Sequence, residues 1–367
     1  MNERDVNNVN RRAVMSPRAD AWRARGAYFS WQPPDTSAAS VDVFHVEVGD
    51  PDAPVLLLVH GFPTSSIDWV DVAAGLEGRF RVCTLDFPGY GFSDKPRGWG
   101  YSLARDAQLL EHYLDHVVGA DTAVVVAHDR GASVALLFAI QRAERESGSA
   151  LESLQHLVLS NGNIFLPLSN LTDFQRLVLD PHSADQVLAA TTPELLADGL
   201  GANTFTPPRR SPDPEIDVLA ATFAHDDGVK VLHETIQYLV ERSQHEEAWL
   251  QRLAESTVPT TIVWGLDDTV SPPRVAAHVW NRFLMSKPGR NSLYFLPGAN
   301  HYLQVDRPDA FVAIVLHALD ASAGEVAPEP GPISSEPGAP LLVDVSRAQL
   351  PSAADVLATA PGVLGPR

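Results

Sequence analysis

Residues 124–135 read VVVAHDRGASVA. The first part is an apolar, β-branched run of the kind that forms a buried strand. The last part is small and apolar and opens a helix. Between them the chain must turn sharply around Asp129. Ala127 and Gly131, two positions to either side, are small enough to permit that bend. An elbow of this type holds its central side chain exposed at the top of a sheet. Here that side chain is a carboxylate. The next residue, Arg130, presents its backbone N–H at the start of a helix, where a developing oxyanion can be stabilised.

Working outward, the pattern repeats. PVLLLVHG (54–61) is an almost continuous apolar run, as expected of a strand buried on both faces. A helical pattern over 65–76, the strand RVCTLDF (81–87) and the helix SLARDAQLLEHYLDHVV (102–118) follow. Downstream of the elbow come LQHLVLSN (154–161), TTIVWGL (260–266) and NSLYFLPG (291–298) as strands, and PDAFVAIVLHALD (308–320) as a helix. AYFSW (27–31) and VDVFHVEVG (41–49) read as opening strands. Alternation of buried strands with helices implies an α/β fold with a mostly parallel, doubly wound sheet. Residues 164–256 break the rhythm with helical patches and no clear strand. They read as a helical cap inserted between core segments 26–163 and 257–322. Such an insert lies over the C-terminal edge of the strands, where ligands bind in open α/β folds. Residues 1–25 read as a disordered polar lead. Residues 323–367 read as a linker, EVAPEPGPISSEPGAP (325–340), and a tail with room for short helices.

Composition narrows the function. The chain has 367 residues, is 45% hydrophobic and carries a formal net charge of −19. That balance excludes nucleic acid and an anionic membrane surface as partners, since both require clustered Lys and Arg. No run of about 18 apolar residues occurs, so no membrane span is expected. The first 20 residues hold no apolar run of signal-peptide length, so the expected location is the cytoplasm. Cys83 is alone, within an apolar strand, and reads as a core residue. No cofactor or metal is expected. HETIQ (233–237) has Gln237 where a zinc-binding helix would need its second histidine, and GYGFSD (89–94) lacks the spacing of a phosphate loop.

The residues that carry chemistry lie at strand ends. His301, in FLPGANHYLQVDRPDAF (295–311), follows a strand and titrates near neutrality, which suits a general base. A carboxylate from another strand end should orient it. VWGLDDTVSPP (263–273) offers Asp267 and Asp268, with Asp268 favoured. LLLVHGFPTSS (56–66) supplies the Phe62 N–H as second oxyanion donor, with Gly61 allowing close backbone approach. The chain order is then Asp129, Asp268, His301.

HGFPTSS, DFPGYGFSDKP, AHDRG, WGLDD and PGANHY together resemble the α/β-hydrolase superfamily, in its aspartate-nucleophile branch. That branch includes epoxide hydrolases and haloalkane dehalogenases. LVLSNGNIF (157–165) and IQYLVERSQHEEAWL (236–250) resemble the mesoderm-specific transcript group. The resemblance implies a small apolar electrophilic substrate, an epoxide or alkyl halide, together with water. A carboxylate is already ionised at neutral pH. It suits displacement at a saturated carbon, giving an alkyl ester that a His301-activated water hydrolyses. Tyr238 falls where epoxide hydrolases carry a ring-opening tyrosine. Residues 164–256 hold no second tyrosine, although the family usually has two. Dehalogenases place Trp after the nucleophile and Asn or Glu after the HG pair; here Arg130 and Phe62 stand there. HDRG also resembles fluoroacetate dehalogenases, but the second arginine of their carboxylate clamp is Ser133. An epoxide hydrolase therefore ranks first and a dehalogenase second. A non-catalytic ligand-binding or interaction protein ranks third. Phe165, Leu166, Phe174, Leu177, Tyr238 and Trp249 are expected to line the pocket. Nothing in the sequence fixes an oligomeric state.

Overall fold

The structure is a computed structural model that describes residues 16–34, 39–145, 154–323 and 341–343. β1 (Gly26–Trp31) and β2 (Val41–Val48) pair antiparallel at one edge of the sheet. β3 (Val55–Val59), β4 (Arg81–Leu85), β5 (Ala123–His128), β6 (Leu154–Ser160), β7 (Thr260–Gly265) and β8 (Ser292–Leu296) run parallel. The spatial order is β1-β2-β4-β3-β5-β6-β7-β8, and a short ninth strand, β9 (Leu341–Val343), joins β8 antiparallel. Every residue of β3, β5 and β7 is buried, which is why these strands read as uninterrupted apolar runs. The chain leaves β3 on one side, to β4, and returns on the other, to β5. The crevice at the C-terminal ends of β3 and β5 is thus the topological switch point.

Helices cover the sheet. They are α1 (Pro17–Arg25), α2 (Val70–Leu76), α3 (Leu103–His112) and α4 (Arg130–Arg145) before β6. Six more separate β6 from β7: α5 (Asp173–Leu179), α6 (Ala184–Ala190), α7 (Pro193–Thr204), α8 (Pro214–Ala224), α9 (Leu232–Thr235) and α10 (Tyr238–Glu255). α11 (Pro273–Val279), α12 (Leu303–Asp306) and α13 (Pro308–Ala323) complete the core. α4 packs on β5 and β6, α11 on β7, and α13 on α2 and β8. No described helix is long and apolar enough to cross a membrane.

The helical segment between β6 and β7 is tied to the core through backbone groups. Glu241 of α10 accepts the N–H groups of Leu103 (2.8 Å) and Ala104 (3.2 Å), capping the first turn of α3 where an anion is favoured. Glu234 accepts Gly98 N–H at 2.8 Å, and within the segment Arg242 donates to the Ile164 carbonyl at 2.7 Å.

Two sequence expectations are corrected. Residues 17–25, read as part of a disordered lead, form α1. Ser16 caps it by accepting from Ala19 N–H, and Pro17 occupies its first turn. Only Ala19 and Trp22 are buried, so the helix has too narrow an apolar stripe to read. Trp22 anchors it, with Nε1 donating to Ser66 Oγ at 3.0 Å. Residues 1–15 lie outside the described residues. In the tail, residues 341–343 form an edge strand rather than a helix, because β8 offers an open ladder of hydrogen-bonding groups. The linker at 325–340 and the rest of the tail also lie outside the described residues.

Candidate active site

β5 ends at His128, and Asp129 turns the chain with a left-handed backbone, φ +49°. That conformation is costly for a residue with a side chain and persists where surroundings over-determine it. They do so here. Asp129 N–H donates to Ser160 O at 3.0 Å, and α4 begins immediately after. A side chain at Gly131 would put Cβ 2.5 Å from the His60 carbonyl oxygen, so glycine is what lets α4 start against the end of β3.

The carboxylate of Asp129 is buried and its two oxygens differ. Oδ2 accepts the Phe62 N–H at 2.9 Å, and the Arg130 N–H also faces the carboxylate. Oδ1 accepts from Asn163 Nδ2 at 3.2 Å and lies 3.6 Å from His301 Nε2. The Phe62 loop is held by His60. Phe87 N–H donates to His60 Nε2 at 3.0 Å, so the ring proton sits on Nδ1 and is donated to Gly61 O at 2.8 Å. Burial pushes His60 down to about 3, which keeps it neutral in this structural role.

His301 Nδ1 faces Asp268 Oδ2 at 3.0 Å. The other Asp268 oxygen accepts the N–H groups of Val270 and Ser271, both at 2.8 Å. Asp267, the neighbouring alternative, is exposed, so Asp268 is the carboxylate brought to His301. His128 Nε2 and Asn161 Nδ2 both bond the His301 carbonyl, at 2.8 and 2.9 Å, and fix the loop that carries it. Burial alone would lower the His301 pKa. The charge of Asp268, its hydrogen bond and the charge of Asp129 reverse this and lift it to about 9. Burial likewise raises Asp129, against the pull of His301 and the two N–H groups.

Above the carboxylate sit aromatic rings and a guanidinium. Tyr238, at the start of α10, is buried with its ring 5.9 Å from that of Phe62. Tyr90, from the turn after β4, is buried beside Phe62 at 6.4 Å. Neither phenol oxygen makes a hydrogen bond of normal geometry; Asn163 lies beside the Tyr238 hydroxyl and Thr235 beside that of Tyr90. Both hydroxyls feel the charge of Asp129. The Arg130 side chain pairs with Asp106 and is enclosed by the rings of Phe87, Tyr90 and Tyr238 at 5.2–5.5 Å. Its Nε and Nη1 have no partner.

A cavity of about 40 Å³ adjoins His301, lined by Phe62, Phe174, Leu196, Leu200, Val270 and Tyr302 among others. Of the lining expected from sequence, Phe174 is there. Leu177 is instead 46% exposed, because it lies on the outer face of α5. Phe165 stacks on His278 (4.2 Å) and Trp249 on His245 (5.4 Å), so both pack away from this cavity. Among the described residues, no group of three or more His, Cys, Asp or Glu could hold a metal ion.

Tyr90, Asn163, His60, His128 and Asn161 were not singled out from sequence as site residues. Asn161 and Asn163 have a local signal in the SNGN turn that ends β6. The nearness of Tyr90 to Asp129 is purely tertiary.

The alpha/beta hydrolase fold family matches residues 54–308. This chain belongs to that family. The hydrolase is 32% identical over 310 residues to LipZ of Mycobacterium tuberculosis, named as a hydrolase, covering 83% of this chain and 99% of LipZ. It is 29% identical over 305 residues to the human mesoderm-specific transcript homolog protein, covering 81% and 87%. Haloalkane dehalogenase 2 of Mycobacterium bovis is 26% identical over 280 residues, covering 73% of this chain and 89% of that one. The resemblance read from the motifs of this α/β hydrolase thus extends along most of its length.

Proposed function

We propose that this hydrolase opens a small apolar epoxide to a diol through a covalent ester of Asp129. The observation that carries the reading is the asymmetric environment of that carboxylate: the Phe62 N–H on Oδ2, and His301 backed by Asp268 on the side of Oδ1. In the first step Asp129 attacks a ring carbon. The ring C–O bond breaks, its electron pair passes to the oxygen, and a phenol O–H delivers the proton. In the second step His301 takes a proton from water, and the resulting hydroxide adds to the ester carbonyl. The Phe62 and Arg130 N–H groups stabilise the oxyanion. Collapse releases the diol, whose leaving oxygen takes the proton from His301. The proton left on Asp129 returns to the phenolate.

His301 cannot act as base while protonated, and the charge of Asp129 helps keep it so. Esterification removes that charge. Alkylation therefore prepares the histidine for the step that follows.

Two buried phenols that make no hydrogen bond of normal geometry, Tyr238 beside Asn163 and Tyr90 beside Thr235, support an oxygen leaving group. Buried donors are costly unless an acceptor satisfies them, and a ring-opening oxygen is such an acceptor. Tyr90 supplies from the core the second phenol that residues 164–256 lack. The enclosing helical segment acts as a cap, and the cavity of about 40 Å³ adjoins His301 and Phe62. Dehalogenation is the second reading, favoured by the likeness to haloalkane dehalogenase 2. It lacks the usual halide donors, since Phe62 and Arg130 stand in their positions.

The test is His301→Gln exposed to epoxides and to haloalkanes, followed by intact mass and peptide mapping. A gain of one whole epoxide on Asp129 is expected. An alkyl gain with halide lost would reverse the ranking. No adduct from either class would remove the nucleophile reading.

A further inference from the structure

The turn after β6 reaches the loops that carry Asp268 and His301, and Asp129 itself. Asn161, held in a left-handed conformation at φ +40°, bonds the carbonyls of Asn300 (2.7 Å) and His301 (2.9 Å) and accepts Gly265 N–H at 2.8 Å. The Gly162 carbonyl accepts from Ser271 Oγ at 2.8 Å, and the N–H of Ser271 binds Asp268. Asn163 is 1% exposed. Its Nδ2 donates to Asp129 Oδ1, and its own Oδ1 is left without a normal partner beside the Tyr238 hydroxyl.

We propose that Asn163 is a positioning residue that assigns the two oxygens of Asp129 to separate tasks and sets Tyr238 above the one that attacks. The inference rests on the Asp129 reading above. Each carboxylate oxygen has two acceptor sites. Oδ2 accepts the Phe62 N–H, with the Arg130 N–H also facing the carboxylate, so Oδ2 stays in place and becomes the ester carbonyl oxygen. Oδ1 accepts from the Asn163 side chain rather than from the Phe62 N–H, and 3.6 Å from His301 Nε2 is too far for a hydrogen bond. Oδ1 is therefore the atom that forms the bond to carbon. With Nδ2 fixed on Oδ1, the Asn163 carbonyl oxygen is left beside the Tyr238 hydroxyl, where a small shift lets it accept that O–H until a substrate oxygen takes it.

The experiment measures adduct formation with a terminal epoxide in His301→Gln, alone and combined with Asn163→Leu or Asn163→Asp. Cooperative unfolding confirms that each variant is folded. Asn163→Leu should slow adduct formation by about 10- to 100-fold, the scale of a misplaced reacting atom. In single Asn163→Leu, hydrolysis of the ester once formed should change little, since the oxyanion donors and His301 remain. Asn163→Asp keeps the shape and adds a like charge beside Asp129. It should move the pH midpoint of adduct formation upward by about one unit or more. His301, Asp268, Asp68, Tyr90, Tyr238, Tyr302 and Arg130 also face Asp129; His301 is replaced in every adduct measurement and the others are unchanged. Adduct formation in His301→Gln with neither the rate nor the midpoint moved by the added substitutions overturns this proposal alone. Absence of adduct in His301→Gln itself removes the Asp129 reading and this proposal with it.

Discussion

His301 and Asp129 hold one another in opposite charge states, and the proposed reaction uses that coupling. Asp268→Asn keeps the shape of the pair and removes its charge. Alkylation of Asp129 should persist while ester hydrolysis slows by on the order of 10²- to 10⁴-fold, as when a buried orienting carboxylate loses its charge. Intact mass would then show the adduct accumulating; turnover within about tenfold of wild type would contradict the role. The same coupling predicts a pH dependence of stability. His301 titrates near 9 in the folded protein against an ordinary value of 6.5. The folded state therefore binds more protons between those values. The stabilisation is fully present below 6.5 and is lost as pH rises through 9. Chemical denaturation of wild type and His301→Gln should show the wild type losing its advantage across that window; parallel curves would contradict it. At this scale the sequence was legible where a candidate side chain sits at a strand end. Asp129, Asp268 and His301 each follow a readable apolar run. Asn163 and Tyr90 were not legible as site residues, because only the packing of the SNGN turn and of the turn after β4 brings them to Asp129.

At the scale of elements, the buried parallel strands announced themselves as unbroken apolar runs, and the bend at Asp129 through its small neighbours. α1 did not, because Trp22 is its only large buried side chain. That dependence is testable. Trp22→Ala removes a buried ring and the hydrogen bond to Ser66, and should cost about 3–5 kcal/mol of unfolding free energy. Urea titration measures it. A loss below about 1 kcal/mol would mean that α1 contributes little to the fold. Ser16→Ala should cost less, about 0.5–2 kcal/mol, since it removes only the cap. β9 was equally illegible: a three-residue edge strand is specified by the open side of β8 rather than by its own pattern.

For the whole molecule, the break in strand–helix alternation at 164–256 located the helical insert but not its docking. The docking runs through side chains that reach backbone amides, and a carboxylate such as Glu241 looks in sequence like any solvated helix residue. Glu241 fixes the helix that begins with Tyr238 against the first turn of α3. Glu241→Ala should therefore slow alkylation by about 10-fold or more while leaving hydrolysis of the preformed ester nearly unchanged. Equal slowing of both steps would point to a general loss of structure. The effects on alkylation and ester hydrolysis presuppose an ester on Asp129, and one measurement addresses that directly. In a single turnover with excess enzyme in H2¹⁸O, the oxygen of water should enter the Asp129 carboxylate, and the first diol released should carry none. Label in the diol with none in the peptide containing Asp129 would mean that water attacks the substrate itself, and would contradict the account.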